Sequence, residues 1–129
     1  MKKLTTTLLA ATLALGSGFA ASAETQGVTP TEVTFGSVND LSGIFAAVGV
    51  PAVNGANLRF AEANAAGGVH GRTIKFIVED NGYQIPRAMQ GYNKLLNSDK
   101  VFAMVLSLGT PMNIAGFKLM DPLGIPNIS

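Results

Sequence analysis

The 129-residue chain is only 13% charged, with nine Lys or Arg against eight Asp or Glu, and it holds neither Cys nor Trp. A globular protein averages roughly 25% charge, so the chain is apolar, and its near-zero net charge gives no electrostatic footprint for nucleic acid or an anionic membrane. Without cysteine it has no disulfide framework, and its length allows one domain at most.

Much of the apolar excess lies at the start. Lys2 and Lys3 form a positive n-region, residues 4–15 an uncharged, mostly apolar stretch, and Ala21, Ser22 and Ala23 a small-residue cleavage site. This is the pattern of a secretory signal peptide. The apolar run is shorter than the ~20 residues that span a bilayer, so export with cleavage after Ala23 is expected, and no Cys follows to take a lipid anchor. Loss of residues 1–23 removes Lys2 and Lys3, which turns the formal charge of +1 slightly negative.

Residues 24–32 read as a flexible lead-in of Thr, Gln, Gly and Pro without apolar periodicity. From there short apolar runs alternate with Gly, Asn and Asp loops and amphipathic segments. This alternation predicts an α/β fold, a parallel sheet of βα units with helices on both faces. Val33–Val38 is the first strand. A helix follows with Pro51 in its first turn, a stripe of Val53, Ala56, Phe60 and Ala63, and a stop at Gly67 and Gly68. Arg72–Glu79 alternates Ile74, Phe76 and Val78 with Thr73, Lys75 and Ile77, a half-buried strand suited to a sheet edge.

Pro86 opens a second helix with a stripe of Ala88, Met89, Tyr92, Leu95 and Leu96, closed by Asn97, Ser98 and Asp99. Val101–Leu106 is apolar without alternation, as in a central strand buried on both faces. Residues 107–110 lead into a third helix, Pro111–Met120, with Thr110 as its N-cap. Ile125–Ile128 is a fourth strand, read as buried, in which the glycosylation sequon of Asn127, Ile128 and Ser129 is accidental. A sequence that stops at Ser129 inside an apolar strand is read as the N-terminal part of a longer protein.

In right-handed βαβ units the loops leaving the strand C-termini share one edge, where ligands bind. Residues 39–48, 80–85 and 107–110 and Ser129 meet there. Thr110 and Pro111 start a helix whose free N–H groups and dipole favour a carboxylate or phosphate. Ser42 offers a hydroxyl to a small polar ligand, and Tyr83 a ring face and hydroxyl or, equally, a surface packed on Pro86.

The lone His70 sits in a Gly-flanked turn and has no Cys or second His to complete a metal site. Adjacent Glu79 and Asp80 would point to opposite faces of a strand, so a carboxylate pair for general acid/base work is not indicated. Nucleotide-binding glycine loops are absent. No nucleophile–base pair is evident, so neither an enzyme nor a cofactor is expected.

The blocks "GANLRFAEANAAGGVHGR" (residues 55–72), "VEDNGYQIPRA" (78–88), "DKVFAMV" (99–105) and "GIPNIS" (124–129), with Ser42 and Gly43, resemble the leucine/isoleucine/valine-binding, type I family of periplasmic solute-binding proteins of ABC transporters. The resemblance implies two α/β lobes that close over a ligand and deliver it to an inner-membrane ABC permease, with residues 33–129 forming an incomplete first lobe. It also implies that the loop of residues 107–110 holds the ligand's carboxylate through the Thr110 hydroxyl and backbone atoms of Leu108 and Gly109, with Ser129 bordering the next contact. The loop departs from the Gly-Pro-x-Ser-Ser-like pattern common in the family, and where some relatives place an aromatic residue near position 48 this chain has the aliphatic Val48. A small amino acid or related carboxylate is the implied ligand; a receptor's sensing lobe and a truncated secreted α/β enzyme are the alternatives.

Overall fold

The computed structural model describes residues 25–129; the signal-peptide reading of residues 1–23 lies outside them. Strands β1 (Glu32–Asn39), β2 (Thr73–Asp80), β3 (Ala103–Val105) and β4 (Asn127–Ile128) form one parallel sheet in the order β2-β1-β3-β4. Helices α1 (Ala46–Ala65), α2 (Ile85–Asn93) and α3 (Thr110–Met120) make the crossovers.

Strand alternation sorts the helices onto two faces. Phe35 of β1 stacks on Phe60 of α1, which also meets Phe76 of β2 edge-on. On the other face Val38 of β1 and Glu79 of β2 lie against Gly91 of α2. The main core is on this second face: Val38, Ala88, Tyr92, Leu95, Leu96, Val101, Met104, Met112 and Met120 form one buried cluster. The α2 stripe expected from the sequence is therefore the central element of the core, with Met89 at its margin. Helix α3 packs on α2 because Gly116 leaves room for the ring of Tyr92; a Cβ at residue 116 would stand 2.7 Å from that ring.

Several expectations are corrected. The lead-in is not structureless: Val28 bridges to Val33, and the Gln26 side chain donates to the carbonyls of Leu96 (3.3 Å) and Val101 (3.0 Å). Pro51 lies inside α1, not in its first turn, because the helix starts at Ala46. The central strand is three residues, not six. Lys100 and Leu106 adopt φ of 54° and 57° at either end of the run, and such left-handed residues break the ladder. The second helix closes through a π turn at Lys94–Ser98. The fourth strand is shorter than read and is not buried: like β2 it lies at an edge of the described sheet, and Ile128 is 69% exposed. Asn127 is only half-buried.

Candidate functional site

All four strands run the same way, so the loops after β1, β2 and β3 emerge at one edge with Ser129 beside them. Polar side chains shape these loops and tie the first two together. The Asp40 carboxylate accepts the N–H groups of Gly43 (2.5 Å) and Phe45 (2.8 Å), which turns the chain into α1. Asp80, at the end of β2, accepts four donors: the N–H groups of Leu41 (2.9 Å) and Gly82 (2.9 Å), the Ser42 hydroxyl (2.5 Å) and the Arg87 guanidinium (2.8 Å). Burial opposes its ionisation, but the bonds from Ser42, Leu41 and Gly82 and the charge of Arg87 outweigh it and hold the carboxyl at about 2.

The loop between β3 and α3 is fastened from below. Asn39 Nδ2 donates to the Leu106 carbonyl (2.6 Å), Ser107 Oγ accepts the Val38 N–H (3.2 Å), and the Leu108 N–H donates to the Val38 carbonyl (3.0 Å). Gly109 then takes φ of 113°, open to glycine and costly for other residues, and becomes the N-cap of α3. This corrects the reading of Thr110 as a cap. Because Gly109 lets the chain turn one residue earlier, Thr110 is already the first helical residue and makes no capping hydrogen bond. Its side chain is exposed.

Thr110, Gly109 and Ser129 line a shared depression of about 360 Å³ with Ser107, Asn113 and Asn127. Ser129 Oγ accepts the Ser107 N–H (3.3 Å) and donates to Asn127 Oδ1 (2.7 Å). The other sequence-selected residues stand outside it. Leu108 contributes its backbone to the loop behind, the Ser42 proton is committed to Asp80, and the Tyr83 ring centroid lies 4.4 Å from that of Phe45. Tyr83 still approaches the loop, its Cε2 standing 3.3 Å from where a Cβ on Gly109 would be.

Asn113 was not singled out by sequence. Its Nδ2 donates to the carbonyls of Ser107 (3.1 Å) and Gly109 (3.3 Å), and its Oδ1 accepts from the buried Tyr92 hydroxyl (2.9 Å) and from Asn127 (3.3 Å). The available signal was its position four residues after Gly109, from which a short amide reaches back over a helix's first turn. Among the described residues no group of three or more His, Cys, Asp or Glu is arranged to hold a metal, and no helix is long and apolar enough to cross a membrane.

A parallel α/β layer whose strand-end loops emerge at one edge, beside a depression lined by polar side chains and by Ile114 and Phe117, has the architecture of a small-molecule binding lobe. The sequence pattern of the periplasmic binding protein family matches residues 32–127, and the chain belongs to that family. An amino acid binding protein of Pseudomonas aeruginosa is 29% identical over 94 residues, covering 73% of this chain and 25% of the relative. The fatty acid ABC transporter substrate-binding protein of Thermomonospora curvata superposes with a TM-score of 0.74 at 32% identity, covering 81% of this chain and 27% of that one. A branched-chain amino acid transporter substrate-binding protein of Streptococcus pneumoniae, in complex with isoleucine, gives a TM-score of 0.71 at 29% identity, covering 75% and 28%. The chain thus spans about a quarter of the length of these relatives. The family is a class of solute-binding proteins.

Proposed function

We propose that this chain supplies part of the first lobe of a periplasmic solute-binding protein that captures a small amino acid, branched-chain-like, or a related carboxylate and passes it to an inner-membrane ABC permease. One observation carries the reading. At the ligand edge, the N–H groups of Gly109 and Thr110 have no acceptor among the described residues, and they stand beside the hydroxyls of Thr110 and Ser129. Two adjacent N–H groups at the positive end of a helix suit a carboxylate. The ligands named for the relatives, amino acids in two and fatty acid in one, share that group.

In this reading residues 1–23 direct export and are cut after Ala23, residues 24–32 lead into the lobe, and the contacts lie at Thr110, Gly109, Leu108 and Ser129, with Ser42 and Tyr83 at the rim. Ligand touching a second lobe stabilises the closed state, since only that state makes both sets of contacts.

The test begins with the native product purified from the periplasm. Its intact mass gives the cleavage point and the length of the polypeptide. Calorimetry with L-isoleucine, L-leucine and decanoate, and with the corresponding amides, then measures binding. Affinity for a carboxylate at least tenfold above that for its amide supports the reading; equal affinity for acid and amide, or no binding across the panel, overturns it.

A further inference from the structure

We infer that Asn81 and Asn113 are positioning residues that set the direction of the two N–H groups at the ligand edge; the inference rests on the binding role proposed above. In a trans peptide the N–H points opposite to the C=O of the same unit. Fixing a carbonyl therefore aims the next residue's N–H. The Leu108 carbonyl shares a peptide with the Gly109 N–H, and the Gly109 carbonyl with the Thr110 N–H.

Each carbonyl is held by a different asparagine. Asn81 is fully buried at the end of β2, and its Nδ2 donates to the Leu108 carbonyl at 3.2 Å. Its Oδ1 accepts the Tyr83 N–H at 2.7 Å, and its own N–H donates to the Asn39 carbonyl at 2.7 Å, so the amide cannot swing away. Asn113 bonds the Gly109 carbonyl twice, through its backbone N–H at 2.9 Å and through Nδ2 at 3.3 Å. Its Oδ1 is anchored in turn by the Tyr92 hydroxyl.

With both carbonyls drawn into the protein, the N–H groups of Gly109 and Thr110 face the other way. Among the described residues neither has an acceptor. Two successive N–H groups left free in this way can serve one anionic group. The orientation costs nothing at the moment of binding, because it is fixed in advance. Gly109 is required in the middle, since its φ of 113° lets two adjoining peptides present their N–H groups to one side.

Asn81→Asp and Asn113→Asp test this. Each keeps the accepting oxygen and the shape of the side chain; Asn81→Asp removes the side-chain N–H that holds the Leu108 carbonyl, and Asn113→Asp removes the Nδ2 bond to the Gly109 carbonyl while its backbone N–H bond stays. Residual dipolar couplings on the ¹⁵N-labelled native product report the directions of the Gly109 and Thr110 N–H vectors without ligand, and L-isoleucine titration reports affinity. We expect the Gly109 vector to turn in Asn81→Asp, with affinity for L-isoleucine lowered about tenfold, the weight of one hydrogen bond to a charged group, and the Thr110 vector, still held by the backbone N–H of residue 113, to turn less in Asn113→Asp. Unchanged vectors overturn the inference, as does unchanged affinity alongside turned vectors.

If the unaltered protein binds no carboxylate, the binding reading fails, and the vectors alone decide whether these asparagines orient the pair. Should a variant not fold, exchange of the Asn81 and Asn113 Hδ2 protons in the unaltered protein decides: slow exchange supports the inference and exchange at the solvent rate overturns it.

Discussion

Asp80 shows how a single side chain is made to serve several neighbours. Its four donors come from three separate stretches of chain, Leu41 and Ser42, Gly82, and Arg87, so ionisation of one carboxyl organises two loops of the ligand edge. The folded carboxyl titrates near 2 and the unfolded one near 3.8. A depressed folded value stabilises the protein above the unfolded value and is lost as pH falls towards the folded one. Unfolding by urea should therefore show stability declining between pH 4 and pH 2. For a side chain 26% exposed, the loss is about 1 kcal/mol after solvent screening. Asp80→Asn should be less stable at pH 7 and lose that part of the decline. Thr110 calls for a different measurement, because its hydroxyl supports no helix cap. Thr110→Val should leave urea unfolding unchanged and weaken carboxylate binding by about 1.5–3 kcal/mol; full affinity would remove Thr110 from the contact set.

At the scale of elements, α2 and α3 approach closely because residue 116 has no side chain. Gly116→Ala places a methyl carbon against the Tyr92 ring, and overpacking of this kind costs about 1–3 kcal/mol. The better helix propensity of alanine, about 1 kcal/mol, offsets part of it. Urea unfolding should show a net loss, and a gain would mean that Tyr92 moves freely. The sequence made these elements legible wherever periodicity carried the information: the α2 stripe was readable because Ala88, Tyr92, Leu95 and Leu96 repeat at helical spacing and are all buried. The first two strands were read to within a residue at each end, but the lengths of the last two were not legible. Val101–Leu106 is uniformly apolar, yet the left-handed backbone at Lys100 and Leu106 cuts the strand to three residues, and neither is a residue that announces such a turn. The site was half legible. The loop and Gly109 could be located from turn chemistry, whereas Asn81 and Asn113 act across 27 residues and one helical turn through carbonyls whose positions only the fold defines.

The whole molecule is lopsided. Its fully buried apolar side chains gather between the sheet and α2–α3, while the α1 face rests on partly exposed Phe35, Phe60 and Phe76. Truncations should report this asymmetry. Leu95→Ala should cost about 2–5 kcal/mol, whereas Leu58→Ala, on a side chain 64% exposed, should stay within about 0.5 kcal/mol. Comparable losses at both sites would show that the α1 face is as tightly packed as the other. The strand order β2-β1-β3-β4 also has a consequence in time. Strand β1, flanked by β2 and β3, is the first to be made, and its Phe35 and Gly36 wait for Ala103 and Met104. At ribosomal rates that wait covers roughly 70 residues, or about 4–14 s. Through it one side of β1 must keep its backbone groups in water or on a chaperone, so the sheet closes only when synthesis of this segment is nearly done.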